Sequence, residues 1–382
     1  MMLKKIVIAA DSFKGSITSA EFADVCEGVA AEMLPACRVV KVPLGDGGEG
    51  TIEALTSALH GHKLECEVCG PLMERVVARY GISADGQTAI MEMSQASGLT
   101  LIPAERRNPL ATTTYGTGQM IADALAHGCR RIVIGIGGSA TNDGGIGMLS
   151  ALGFRFYDSL GRHMSGGLTG ADMERVASFD FPAEHKLDGV EFLVACDVDN
   201  PFCGPSGAAP VFAAQKGADA ATIERLDSAM AKFAELVRQR MGSDIATMAG
   251  AGAAGGLGGA FAAFLGGKLK PGIEMVLDAV GFDRLIEGAD LIVTGEGRID
   301  SQTVRGKTPF GVLQAARRKS IPVIALGGSV VDSPELDAAG FAAVMSIQQS
   351  PVTLEEAMHP ETSRRNLAAT FRQFLSLIET FS

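Results

Sequence analysis

The residues predict an α/β protein of two α/β domains: a Rossmann- or flavodoxin-like parallel-sheet domain made of both chain ends, and a second, mixed-sheet α/β domain inserted into it. Three features carry that expectation. Both ends of the chain share a strand–loop–helix rhythm. The segment from Cys66 to about Met93 instead alternates apolar and polar positions, as antiparallel strands do. Six short apolar runs end abruptly in loops rich in glycine, hydroxyls and carboxylates. With 382 residues the chain is long enough for two cores. The expected segments are 1–62 and 284–382 for the parallel-sheet domain and 63–283 for the insert, with the active site in the cleft between them.

In chain order, Ile6–Ala9 reads as a buried strand, and Thr18 with Glu21 three residues on forms a capping box that starts a helix. Phe22, Val25, Cys26, Val29 and Met33 give that helix one apolar face. A strand over Arg38–Val42 leads through Gly45–Thr51 into a helix ending near Leu59. In the alternating segment, Gly81–Gly86 marks a turn between antiparallel strands. A helix over Gly118–Ala126 precedes the strand Ile132–Ile136. Its polar loop Gly137–Gly145 runs into a helix start whose amides and dipole suit an anion. Glu191–Ala195 is a strand ending in Cys196–Pro201, and an amphipathic helix spans about Ala221–Met241. Leu291–Val293 is a strand, Thr294–Lys307 a long polar loop, and Pro309–Lys319 a helix with proline in its first turn. Ile321–Leu326 is a strand closing on Gly327-Gly328-Ser329.

Composition excludes several classes of function. The net charge of −11 and the lack of basic clusters argue against nucleic acid, whose affinity comes from Lys and Arg neutralising phosphates. Seven scattered cysteines, an odd number, are unlike a disulfide framework, and the apolar run at the N-terminus ends at Asp11, too early for a signal peptide. A cytoplasmic location is expected. Cys66 and Cys69 form a lone CxxC without the second pair a zinc site needs. Ile245–Gly267 is uncharged throughout, but its eight glycines favour a loop and a closely packed helix, Ala260–Leu265, over a membrane span.

The loaded strand ends are Asp11–Lys14, Asp46–Glu49, Gly137–Gly145, Asp197–Asn200, Gly295–Asp300 and Gly327–Ser329. In α/β sheets ligands lie beyond the carboxyl ends of strands. Together these loops offer carboxylates for a hydrated magnesium ion, Lys14, Arg298 and Lys307 for phosphates, and glycine amides for anions, a set that suits phosphoryl transfer. Gly306-Lys307-Thr308 ends like a P-loop, but Ser301 stands where its first glycine is required. Gly135, Gly137 and Ala140 fit a loose dinucleotide fingerprint, with Asp158 about the right distance on. Gly250, Gly252 and Gly255 match the stricter form without a strand before them.

Seven ordered motifs make the chain resemble the bacterial glycerate kinase family, the type that phosphorylates the 2-hydroxyl. They are DSFKGS (Asp11–Ser16), DGGEGT (Asp46–Thr51), GGSATNDGG (Gly137–Gly145), CDVDNP (Cys196–Pro201), QKGA (Gln215–Ala218), GAGAAGG (Gly250–Gly256) and TGEGRID (Thr294–Asp300). Ala10, Gly45 and the Ala213-Ala214 pair depart from the family pattern, each beside the polar residues. The resemblance implies ATP- and magnesium-dependent phosphorylation of D-glycerate. Glycerate and ATP would be the partners, with no nucleic acid and no membrane; the oligomeric state is left open, with a homodimer as the named candidate. A carboxylate, Asp197 ahead of Asp199 and Asp300, would take the hydroxyl proton. Asp46, Asp199 or Glu296 would hold magnesium. The amides of Gly137, Gly138 and Ser139 would cradle phosphates, and Lys14 and Arg298 would neutralise charge on glycerate or the transferring group. Asp11, Ser12, Asn142, Asp143, Gly295, Glu296 and Lys307 complete the expected binding set. The alternatives are an NAD-linked oxidoreductase of small hydroxy acids, glycerate 3-phosphorylation on the same scaffold, and a non-catalytic sensor.

Overall fold

The computed structural model describes residues 3–45, 51–183 and 186–380. The chain forms two compact units, Met1–Leu59 with Ile273–Ser382, and His60–Gly272. The second junction falls at Ile273 rather than near residue 284. Ile273 packs so tightly on the helix Thr308–Arg317 that a Cβ at Gly311 would meet it at 2.4 Å.

The first unit holds a five-stranded, wholly parallel sheet in the order Ala343–Ser346, Val323–Val330, Leu291–Ile299, Lys5–Ile8, Arg38–Lys41. Counted along this unit's own chain that is the 2-1-3-4-5 order of flavodoxin-like sheets, and the order reverses between Lys5–Ile8 and Leu291–Ile299. Ile6, Val7, Ile8, Ile292, Val293, Ile324 and Leu326 are buried, as the continuous apolar runs of a two-faced parallel sheet require. The helix Ser19–Met33 begins at Thr18 with both halves of the capping box formed. Its Phe22, Cys26 and Ala30 share a core with Leu367, Phe371 and Leu375 of the helix Pro360–Thr380.

Two strands run further than their apolar cores suggest. Glu296 pairs with Gly327 and Arg298 with Ser329, so Gly295–Ile299 and Gly327–Val330 are sheet, not loop. Glycine permits this: a Cβ at Gly328 would lie 2.6 Å from the Gly297 carbonyl. As strand residues two apart, Glu296 and Arg298 share a face.

The second unit holds a six-stranded mixed sheet. Lys268–Lys270, Glu191–Ala195, Arg131–Gly135 and Thr88–Glu92 are parallel, and the antiparallel strands Arg75–Ile82 and His62–Cys69 complete it. A separate antiparallel sheet of His163–Met164, Arg155–Tyr157 and Ser178–Asp180 escapes sequence reading, because strands of two or three residues show no periodicity. The glycine-rich segment is a wedge of bare backbone. A Cβ at Gly252 would lie 2.1 Å from the Pro201 carbonyl, and one at Gly255 2.1 Å from that of Thr141. No helix among the described residues is long and apolar enough to cross a membrane.

Candidate active site

In the first unit, Asp11 lies three residues past the end of the strand Lys5–Ile8 at the sheet's switch point, and its N–H donates to the Gly295 carbonyl at 2.9 Å. A cavity of about 690 Å³ opens there, lined by Asp11, Ser12, Lys14, Glu296, Arg298 and Lys307, with Phe13, Val352, Leu354 and Met358 on its apolar side. Asp11 is 8% exposed. Its carboxylate accepts the Ser12 N–H at 2.7 Å and the Thr308 hydroxyl at 3.4 Å. Glu296 accepts the Thr303 hydroxyl, and Lys307 Nζ stands 3.5 Å from its second oxygen. Burial pushes the Glu296 carboxyl above its ordinary range; Thr303 and Lys307 oppose that, while the Asp11 charge adds to it. Magnesium keeps much of its water and takes one or two carboxylates plus substrate phosphates. The Asp11–Glu296 pair fits such an ion, since each carboxylate raises the cost of the other's charge.

Other expected residues of this unit are placed differently. Asp300 receives the Arg298 guanidinium at 3.0 Å and the Gln302 N–H at 2.8 Å, closing the turn into Thr303–Arg305. Both its oxygens are engaged in closing this turn, and it is not among the residues that line the cavity. Gly295 is a packing glycine, where a Cβ would lie 2.4 Å from the Leu326 carbonyl. Of the expected metal ligands, Glu296 is in the cavity, Asp199 belongs to the second unit, and Asp46 lies outside the described residues.

In the second unit, the loops Gly137–Gly145 and Asp197–Pro201 leave neighbouring parallel strands, in register through Gly135 and Ala195. Asp143 is fully buried. Its carboxylate accepts the Thr114 N–H at 2.7 Å, the Thr114 hydroxyl at 2.8 Å, and the Gly145 and Gly147 N–H groups at 3.1 and 3.3 Å. The anion at the start of the helix Ile146–Ala151 is therefore the protein's own. Burial pushes the Asp143 carboxyl up while those four donors hold it down. Asn142 is equally buried, with Nδ2 donating to the Met230 sulfur at 3.1 Å. Both side chains are buried within the loop and hold its shape; Asn142 Oδ1 has no partner among the described residues. Asp143→Asn puts an amide NH₂ among N–H donors and is expected to cost about 2–3 kcal/mol, read as a lower midpoint in urea unfolding.

What the loop presents instead is its first turn. Gly137 and Gly138 are exposed, and among the described residues no acceptor takes the N–H of Gly137, Gly138 or Ser139. Asp197 is exposed, with Oδ1 accepting the Gly272 N–H at 2.7 Å, and Asp199 is exposed two residues on. Sequence reasoning assigned no role to Lys216 beneath this loop. It is buried, with Nζ donating to the Ser139 hydroxyl at 2.8 Å and the Thr141 carbonyl at 2.6 Å. The available signal was a lone lysine in an alanine-rich turn before Gly217, whose φ of +95° and missing Cβ let the Arg107 carbonyl approach.

The dinucleotide fingerprint fails on geometry. Asp158 accepts the Leu160 and Arg162 N–H groups and the Arg162 guanidinium, closing its own turn. The strand before it, Arg155–Tyr157, belongs to the small antiparallel sheet rather than lying beside Arg131–Gly135.

Comparison with known proteins gives a consistent picture. The family described as "Glycerate kinase family" matches residues 6–379. A "Glycerate kinase" of Bacillus cereus is 47% identical over 377 residues, covering 96% of this chain and 98% of its own. A "Glycerate 2-kinase" of Escherichia coli is 44% identical over 373 residues, covering 96% and 97%. A crystal structure of a Salmonella typhimurium LT2 chain assigned as glycerate kinase 2 superposes with a TM-score of 0.88 at 44% identity, covering 99% of both chains.

Proposed function

This chain belongs to the glycerate kinase family, and on that premise we propose that it transfers the terminal phosphoryl group of ATP, with magnesium, to the 2-hydroxyl of D-glycerate, giving 2-phosphoglycerate and ADP. The observation that carries this proposal is the cavity of the first unit, where Asp11 and Glu296 stand among Lys14, Arg298 and Lys307 at the switch point of a parallel sheet. Phosphoryl transfer needs positioning and neutralised phosphate charge more than covalent chemistry. Two carboxylates and three cations supply both.

The nucleotide is assigned to that cavity, whose volume of about 690 Å³ suits a ligand of this size and whose Phe13, Val352, Leu354 and Met358 offer apolar surface to a base. Asp11 and Glu296 would hold magnesium, which neutralises charge on the β- and γ-phosphate oxygens. Lys14, Lys307 and Arg298 bind the remaining phosphate charge, and Ser12 adds a hydroxyl. Glycerate is assigned to the second unit. The amides of Gly137, Gly138 and Ser139 bind its carboxylate. Asp197, steadied by the Gly272 N–H, orients the 2-hydroxyl and accepts its proton. Asp199 is the neighbouring carboxylate.

ADP release, followed with pyruvate kinase and lactate dehydrogenase, is expected only when ATP, magnesium and D-glycerate are all present. Release that needs no glycerate would overturn the proposal. Arg298 is exposed, so Arg298→Ala should leave the melting temperature unchanged while lowering kcat/KM for ATP roughly 10- to 100-fold.

A further inference from the structure

Lys216 ends a short 3₁₀ turn, Ala214–Lys216, with its side chain only 2% exposed. An ammonium has three N–H groups. Two donate to Ser139 and Thr141, and among the described residues no acceptor takes the third. Asp143 is the opposite charge nearby, but its oxygens are already taken by four donors. A buried cation short of partners is costly unless something else completes its surroundings. Ser139 extends the pattern. Its hydroxyl accepts from Lys216, so its own proton must turn away from Nζ, and among the described residues nothing accepts it. The Ser139 hydroxyl proton and the amides of Gly137, Gly138 and Ser139 thus form four donors without acceptors among the described residues, with a cation behind them.

We propose that Lys216 is a positioning residue for the reaction: it fixes Ser139 as a hydroxyl donor and charges the Gly137–Ser139 turn, so that this turn binds an oxyanion of the substrate. Resting on the kinase assignment above, that oxyanion is the glycerate carboxylate; a nucleotide phosphate has the same chemistry and is separated by the test. Burial lowers the Lys216 ammonium to about 7, with Asp143 opposing the shift. Among the described residues, the charged group that acts on it is Asp143, from the loop; Arg107 approaches the next residue, Gly217, through its carbonyl. Oxyanion affinity is therefore full below pH 7 and falls as the pH rises past it.

Lys216→Met and Ser139→Ala are compared with the wild type, as full chains, by KM for each substrate and kcat on both sides of pH 7. Lys216→Met should raise KM for glycerate roughly 30-fold or more, leave KM for ATP and kcat within about threefold, and abolish the wild-type rise of KM above neutrality. Ser139→Ala, which keeps the Thr141 contact, should raise KM for glycerate roughly 10-fold and retain the pH step. An unchanged glycerate KM in the folded variants, or a pH step that persists in Lys216→Met, overturns the proposal. A rise confined to ATP overturns the assignment to the carboxylate. Should Lys216→Met fail to fold, Ser139→Ala and the wild-type pH profile decide. A wild type with no glycerate-dependent turnover refutes the kinase assignment instead, so the two failures are distinguishable.

Discussion

Asp197→Asn should lower kcat roughly 10²- to 10⁴-fold while leaving both KM values and the melting temperature near those of the wild type. The amide keeps an oxygen at the position where Asp197 accepts the Gly272 N–H, so the start of the helix Gly272–Ala279 stays anchored. It cannot take a proton, and its NH₂ cannot accept a hydroxyl. The loss therefore falls on the chemical step, as for an interaction made mainly in the transition state. Among the described residues Asp199 bears no such anchor, and Asp199→Asn should cost about tenfold or less. If the large loss followed Asp199 instead, the two carboxylates would exchange roles.

Glu296→Gln should lower kcat/KM roughly 10²- to 10³-fold and raise the magnesium concentration needed for half-maximal rate. The isostere keeps an oxygen for Thr303 but removes the charge that Asp11 alone cannot replace. The pH dependence follows from burial. A carboxyl whose pKa is raised is protonated at a higher pH than usual, and the neutral form holds a cation poorly. Wild-type activity should therefore fall on the acid side as the pH drops through that raised value, and Glu296→Gln should lack this limb. An acid limb retained in the variant would assign the titration to another group.

The fold was legible wherever the signal is local. Thr18 and Glu21 announce a helix start three residues apart, and both halves of that cap form. The strands at Ile6 and Ile132 are β-branched runs with glycine or acid at their ends. Gly327–Ser329 misleads because glycine usually marks a loop, whereas here it serves a long-range pairing with Glu296–Ile299. The partners of Asp143 were not legible, for the opposite reason. A polar residue in a glycine loop suggests ligand contact, yet Thr114, far away in sequence, joins the helix amides in occupying it. Asp300 reads as a candidate base, and its engagement by Arg298 and Gln302 is visible only in three dimensions. Lys216 is the clearest case of missing local information, since a lone lysine reads as solvent-exposed and its partner Ser139 lies 77 residues away. The cavity residues Asp11, Lys14, Glu296, Arg298 and Lys307 were all legible as site candidates, because strand ends of parallel sheets collect ligands. Which of them pair was not.

The position of the phosphoryl group on the product is the most direct measurement of the whole account. The purified chain is given Mg-ATP and D-glycerate, and enolase is added without phosphoglycerate mutase. Phosphoenolpyruvate formed under those conditions is the predicted result, because enolase dehydrates 2-phosphoglycerate and not the 3-phosphate. Phosphoenolpyruvate that appears only after the mutase is added would contradict 2-phosphorylation, and none in either case would contradict the kinase assignment.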